Sequence, residues 1–164
     1  MKTLSACLSA LALFAPQPVA AQEALAIEFA DPEYDAVLAP VYAFMEGLNS
    51  RDADAMRAQV IDGAGLVVVR EGDDRNVVQV MTMEDAISSL GSVPFEIREP
   101  IFDEYPIYNG PVAIVWAPFV FYANGEMSHC GVNVFNLVDG ADGWRIASVT
   151  YSHVEQGCEE PANR

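Results

Sequence analysis

Apolar residues recur every three to four positions in the first part of the chain, a spacing typical of amphipathic helices. The pattern predicts a long helix over 32–49, which Asp31 begins as an N-cap residue. Pro40 lies inside this helix and is expected to kink or restart it, because proline lacks a backbone donor. Shorter helices are predicted over 50–60 and 82–90, so three helices are expected in all.

Long runs rich in Val, Ile and aromatic residues dominate the rest of the chain, and glycine-containing turns separate them. These runs predict four long strands, at 94–108, 111–123, 126–138 and 143–155. Two shorter runs predict strands at 66–69 and 77–81. The long strands form an antiparallel meander that the short ones extend, and strands of this length must twist and curl. The expected fold class is α+β, a curved antiparallel sheet of about six strands wrapped around three helices.

The chain of 164 residues has 24 acidic and 8 basic side chains, for a formal net charge of −16. Nucleic-acid binding is not expected, because it requires Lys and Arg to neutralise phosphates. An apolar fraction of 52% excludes wholesale disorder, which needs few apolar residues. The composition thus indicates one folded, acidic domain.

The first 21 residues have the three parts of a secretory signal peptide: a positive start, an apolar run and small residues before the cleavage point. The apolar run is shorter than the roughly 20 residues that a membrane span needs. The expected organisation is a signal peptide at 1–21, a flexible leader at 22–30, the folded domain at 31–156 and a tail at 157–164. The mature protein is therefore expected in the periplasm or outside the cell, with no contact with the membrane after cleavage.

Two cysteines, Cys130 and Cys158, follow the predicted signal peptide, and an even number in an exported protein predicts one disulfide. The register expected from the turns places Cys130 opposite Ser152, so Cys158 would lie about 20 Å further on if the tail were extended. The tail must therefore fold back for the bond to form.

Three segments of the chain resemble a known fold family. They are residues 47–54 between the first two helices, residues 129–138, and the Gly-Trp-Arg-Ile run at 143–146. Together with the order of helices and strands, they resemble the nuclear transport factor 2-like family, a cone-shaped α+β fold shared by SnoaL-like proteins and steroid isomerases. The resemblance, together with the predicted signal peptide, indicates an exported bacterial member of that fold. It names no activity, because the family includes isomerases, dehydratases, cyclases, binding modules and oligomerisation domains.

The resemblance also locates the positions that carry catalysis in the steroid isomerases, which use an aspartate base and two oxyanion donors, a tyrosine and a protonated aspartic acid. In this chain the base position falls on Val68, the tyrosine position on Phe44 and the acid position on Val134. All three residues are apolar, whereas proton abstraction needs a positioned acid or base. No catalytic residue and no cofactor is therefore expected.

Two-residue turns would divide the long strands into two faces. One face then carries Trp116, Val120, His129, Asn133, Phe135, Val149, Tyr151 and His153. The other is expected to be concave and to form a mostly apolar pocket, lined by Phe44, Val68, Val115, Phe119, Cys130, Val132, Val134, Ser148 and Thr150. The first face is expected to be covered by a second copy of the chain, through Trp116, Val120, Phe135, Val149 and Tyr151, which predicts a homodimer.

The two histidines, His129 and His153, oppose each other in this register, with Asp103 and Glu99 two strands away on the same face. Zinc needs three or four ligands, so no metal site is predicted. Asp103 would serve as a general acid only if the two faces were exchanged.

These patterns favour an exported module that binds a small apolar molecule without catalysis. One alternative is a SnoaL-like enzyme acting on a small substrate, as an isomerase, dehydratase or hydrolase. Another is a structural or oligomerisation domain. A deep pocket with one buried carboxylate of raised pKa would favour the enzyme, and a filled cone would favour the structural role.

Overall fold

The computed structural model describes residues 31–159, so the predicted signal peptide (1–21), the leader (22–30) and the end of the tail (160–164) lie outside the described residues. The helices are α1 (Pro32–Ser50), α2 (Ala53–Arg57) and α3 (Met83–Leu90). The strands are β1 (Val60–Arg70), β2 (Val77–Thr82), β3 (Ile97–Arg98), β4 (Tyr105–Asn109), β5 (Val112–Ala123), β6 (Glu126–Gly140) and β7 (Gly143–His153). The predicted α+β class with three helices is confirmed. Within the described range, no helix combines the length and the apolar character that a membrane crossing requires.

α1 is one continuous helix, so the expected restart at Pro40 does not occur. The side chain of Asp31 caps its start by accepting a hydrogen bond from the Glu33 N–H at 3.0 Å. Its apolar face, which includes Val37 and Val41, is buried in the core. Burial of apolar surface contributes about 25 cal/mol per Å², and this packing holds the helix together where proline removes a hydrogen bond.

All seven strands join one sheet in the order β2-β1-β7-β6-β5-β3, with β4 also paired to β5. Paired strands are antiparallel except β1 and β7, which run parallel, so the sheet is mixed and not wholly antiparallel as expected. β1 and β2 form a hairpin of their own, and the last strand of the meander docks beside β1. This topology puts β7 between β1 of the hairpin and β6 of the meander, in the middle of the concave face.

The predicted strand at 94–108 is interrupted. It forms β3, an isolated bridge at Ile101 and β4, all against β5. Pro100 lacks a backbone donor, and Asp103 has a left-handed φ of 50° that turns the chain. Because of the interruption, Glu99 lies outside the regular strand pairing, and its backbone N–H donates to the side chain of Asn49.

Two β-bulges change the register that the turns predict. One lies between β5 and β6, next to Phe121, and the other lies between β6 and β7, next to Asn136. Each bulge adds a residue to one strand, so the residues beyond it change face relative to the neighbouring strand. Asn133 consequently pairs with Ala117 and Tyr151 instead of the expected Trp116 and Val149.

The expected concave face is therefore correct for β5 and wrong for most of β6 and β7. Val115 of β5 faces the helices as predicted, but it is joined there by Phe135 and Val149, which were assigned to the other face. The predicted pocket residues that lie on the outer face instead are Cys130, Val132, Val134, Ser148 and Thr150.

The predicted dimer patch changes for the same reason. Phe135 and Val149 belong to the core, and Tyr151 lies between them and the rim of the concave face. Val120 is on the outer face but is only 1% exposed. Trp116, at 49% exposure, is the member of that patch that remains available on the outer face.

Candidate functional site

A cavity of about 440 Å³ lies between the concave face of the sheet and the helices. Most of its lining is apolar. The helices contribute Phe44, Leu48, Met56, Met83, Ile87 and Leu90. The sheet contributes Leu66, Val68, Met81, Phe135 and Val149. Side chains thus do not fill all the space between the sheet and the helices, and a small apolar molecule has room to bind.

The sheet presents its side chains to the cavity in rows that cross several strands. The inner row is apolar and consists of Met81, Leu66, Val149 and Phe135. The middle row consists of Gln79, Val68, Tyr151 and Asn133. The rim row contains Arg70 and His153. The polarity of the lining therefore rises from the inner end of the cavity to its rim.

Glu99 places a carboxylate in the cavity wall, where the residue is only 9% exposed. The side chain of Asn49 accepts from the Glu99 N–H at 2.6 Å and donates to the Glu99 carbonyl at 3.3 Å. Asn133 Nδ2 donates to Glu99 Oε1 at 2.9 Å. Burial raises the pKa of Glu99 to about 7, and the Asn133 hydrogen bond opposes part of that rise. Both protonation states are therefore populated near neutral pH.

Three rings form a stack at the polar end of the cavity. The ring of His129 lies parallel to that of His153, with centroids 3.9 Å apart, and its other side stacks on Phe121 at 4.6 Å. Burial lowers the pKa of His129 to about 4, and its electrostatic interactions with His153 and Arg70 act in the same direction. His129 is therefore neutral at pH 7.

The second histidine links the rim to the end of the chain. Arg70 Nη1 lies 3.0 Å from His153 Nδ1, and His153 Nε2 lies 3.3 Å from Glu155 Oε1. Arginine only donates and a carboxylate only accepts, so these partners assign the proton of a neutral His153 to Nε2. The His153 ring is thus held from both sides.

Tyr151 brings a hydroxyl group into the middle row. Its ring meets Phe119 edge to face, with centroids 6.0 Å apart. Burial raises the pKa of Tyr151; the charge of Arg70 opposes that rise, and the charge of Glu99 adds to it. Tyr151 therefore keeps its proton at neutral pH and is available as a hydrogen-bond donor.

The geometry of the histidines does not favour a metal centre. Parallel stacking directs the ring faces at each other, so their nitrogen lone pairs do not converge on one point. Across residues 31–159, no three His, Cys, Asp or Glu side chains are grouped as metal ligands would be. Asp103, the other acid expected on the histidine face, is exposed and does not line the cavity.

The predicted pocket residues separate into three groups. Phe44 and Val68 line the cavity. Val115 and Phe119 are buried on the concave side but pack behind the lining. The remaining five lie on the outer face, as described above. The polar residues of the site, Glu99, Asn133 and Tyr151, were not predicted to line it.

The predicted disulfide between Cys130 and Cys158 is present, with Cα atoms 5.7 Å apart. The tail folds back as required, because Val154 pairs with Cys130 through two backbone hydrogen bonds of 2.9 Å. His129 and His153 directly precede these two paired residues. The disulfide and the bridge therefore fix the strand ends that carry the stacked rings.

No protein-family model and no curated protein matches the sequence. Solved structures do match it. A nuclear transport factor 2-like protein of unknown function from Shewanella baltica OS155 has a TM-score of 0.55 and 18% identity, over 74% of this chain and 93% of its own. A nuclear transport factor 2-like protein from Cytophaga hutchinsonii ATCC 33406 has a TM-score of 0.62 and 10% identity, over 74% and 98%.

A third similar structure is a proposed dehydratase from the same fold family in Streptomyces avermitilis. It has a TM-score of 0.58 and 18% identity, over 75% of this chain and 98% of its own. At these identities the likeness concerns the fold and not the activity. The helices, the mixed sheet and these structural matches together show that the chain has the nuclear transport factor 2-like fold.

Proposed function

We propose that the protein is a small-substrate enzyme that moves a proton on an apolar molecule held in the cavity, with Glu99 as the general acid–base. The observation that supports this most strongly is a carboxylate buried in a largely apolar cavity. Burying a charged group is costly, and a site that only binds apolar molecules gains nothing from it. The enzyme alternative is therefore preferred to a binding module without catalysis.

The proposed chemistry is proton transfer at a carbon next to a carbonyl group, a step that isomerisation and dehydration share. A carboxyl group with a pKa of about 7 is ionised often enough to take the proton and protonated often enough to return one. Asn133 is a positioning residue, because its hydrogen bond orients the carboxyl group. Tyr151 supplies a donor for the oxygen on which negative charge develops.

Deuterium exchange tests this proposal without knowledge of the natural substrate. The protein is incubated in deuterium oxide with a panel of small cyclic ketones, and mass spectrometry follows deuterium at the carbon next to the carbonyl. The wild type is expected to exceed the buffer rate, and Glu99→Gln is expected to return it to that rate. The matched control is Glu96→Gln, which removes an exposed carboxylate three residues away and is expected to leave the exchange unchanged.

Two results would contradict the proposal. One is a wild-type rate that equals the buffer rate for every ketone in the panel. The other is exchange that survives in Glu99→Gln, which would assign the base to another group.

Export and self-association are proposed on separate grounds. The disulfide supports a location in an oxidising compartment, such as the periplasm or the exterior of the cell. A homodimer is supported by a row of uncharged side chains that crosses six strands on the outer face, in a chain with 24 acidic residues. The row consists of Tyr105, Trp116, Val134, Thr150, Val67 and Val80.

A further inference from the structure

Arg70 is a cation at the rim of the cavity, and no carboxylate in the described part of the chain forms an ion pair with it. Within residues 31–159, basic and acidic groups lie within 4.0 Å of each other where Arg57 meets two acids and where His153 meets Glu155, and none of these contacts includes Arg70. Its guanidinium group instead lies 3.0 Å from His153 Nδ1. A guanidinium group that contacts a ring nitrogen instead of a carboxylate keeps its charge available for an anion, in a chain where acids outnumber bases three to one.

The distribution of apolar and charged groups along the cavity matches that of an amphiphilic acid, a molecule with an apolar body and a carboxylate head. The inner row and the helices offer apolar surface, the middle row offers the hydroxyl and amide donors, and the rim row offers the guanidinium group. Arg70 is the one Lys or Arg side chain among the lining residues. An apolar body seated against the inner row would therefore direct a charged head toward Arg70.

We propose that the cavity takes a small apolar carboxylic acid, with its carboxylate on Arg70 and its apolar body toward Phe44 and Phe135. This inference rests on the proposed function, because it places the reacting carbon at the level of the middle row, where Asn133 contacts Glu99. Successive rows lie two residues apart along a strand, about 7 Å. The carboxylate of the substrate that binds Arg70 is thus a different group from the carbonyl of the substrate that reacts.

The head group is a monoanion and not a phosphate. Guanidinium and carboxylate groups match in a two-bond geometry that neutralises one charge with one charge. A dianion would need further permanent cations, and the lining contains no Lys or Arg besides Arg70. The net charge of −16 would also repel a dianion more strongly than a monoanion.

Calorimetric titration with 2-naphthoate and the neutral 2-naphthamide tests the inference, because the two probes share a shape and differ in charge. The wild type is expected to bind the acid about five- to tenfold more tightly than the amide, as a single charged pair at a partly hydrated rim allows. Arg70→Gln is expected to abolish this preference, and Arg70→Lys to keep part of it. Arg75→Gln makes the same charge change in the exposed β1–β2 turn and is the control that keeps the preference.

Equal binding of acid and amide by the wild type, absence of acid binding, or an unchanged preference in Arg70→Gln would each overturn the inference. Glu99→Gln separates this test from that of the proposed function. It removes the acid–base group and leaves Arg70 in place, so the acid preference should persist there. Loss of deuterium exchange with retained acid preference in that variant is the expected pair of results.

Discussion

At the scale of single residues, the chemistry of the cavity depends on the protonation state of Glu99. Asn133 favours the ionised form through its hydrogen bond, and burial favours the neutral form more strongly. Neither influence can be assigned from nearby sequence, because Asn49 and Asn133 are 50 and 34 residues away from Glu99. The sequence does predict that Phe44 and Val68 line the cavity, because the resemblance to the fold family locates both positions.

The raised pKa of Glu99 predicts a specific dependence of stability on pH. The folded protein holds this proton with a pKa of about 7, against 4.5 for an unperturbed glutamate. The stabilisation that the protonated Glu99 side chain provides is therefore complete below pH 4.5 and is lost as the pH rises through 7. Glu99→Gln imitates the protonated form and does not lose this stabilisation. The free energy of unfolding of Glu99→Gln minus that of the wild type should therefore be larger at pH 8 than at pH 5, by up to about 3 kcal/mol.

Urea unfolding of the two proteins at pH 5 and pH 8 measures this change. The other carboxylates are common to both proteins, so the difference isolates Glu99. Glu96→Gln serves as the control and should follow the wild type at both pH values. A difference between wild type and Glu99→Gln that is the same at both pH values would show that no buried proton is lost.

At the scale of elements, two bulges decide which side chains face the cavity. Helices and tight turns follow from local signals such as the Asp31 cap and the Asn-Gly pairs, and those parts of the fold are predictable. A bulge leaves the alternation of residues within each strand almost unchanged and alters only the pairing between strands. The sequence therefore predicts most of the strands and their turns, but not the parallel pairing of β1 with β7, and it assigns Val134 and Thr150 to the wrong face.

Gly131 is an element-scale requirement, because β6 and β7 approach closely beside the stacked histidines. A Cβ atom at this position would overlap the carbonyl oxygen of Ser152. Gly131→Ala should therefore push the strands apart and lower the free energy of unfolding by about 1–3 kcal/mol. Gly140→Ala, in the same strand but with open space around it, should have a much smaller effect in the same urea titration. Equal effects of the two substitutions would contradict the close approach.

At the scale of the whole molecule, the disulfide and the outer face govern stability and assembly. The bond between Cys130 and Cys158 closes a loop with a sequence separation of 28 residues and ties the tail to β6. The outer face presents uncharged side chains across the sheet, with Trp116 half-exposed near its centre. The spacing of the cysteines predicts neither the disulfide nor the composition of the outer face. The disulfide is predictable mainly because exported chains pair their cysteines.

Removal of the disulfide should destabilise the fold by about 3–4 kcal/mol, since the crosslink restricts the unfolded chain. The Cys130→Ser, Cys158→Ser double variant tests this in urea, and reduction of the wild type should reproduce its unfolding curve. Reduction should not change the double variant. Superimposable curves for oxidised and reduced wild type would contradict a stabilising disulfide.

The proposed dimer should separate when charge is placed in the row on the outer face. Trp116→Glu buries an unpaired charge at the interface, so light scattering should give the mass of a monomer where the wild type gives twice that mass. Ile61→Glu, at an exposed apolar position outside that row, should remain dimeric. A monomeric wild type at micromolar concentration would contradict the interface.

Titration of the Glu99 carboxyl group is the most direct test of the central claim, that a buried carboxylate exchanges protons near neutral pH in this cavity. With ¹³C-labelled glutamate, NMR should resolve one side-chain carboxyl resonance with a midpoint near pH 7. That resonance should be missing in Glu99→Gln and present in Glu96→Gln. A spectrum in which every glutamate of the wild type titrates below pH 5 would contradict the account.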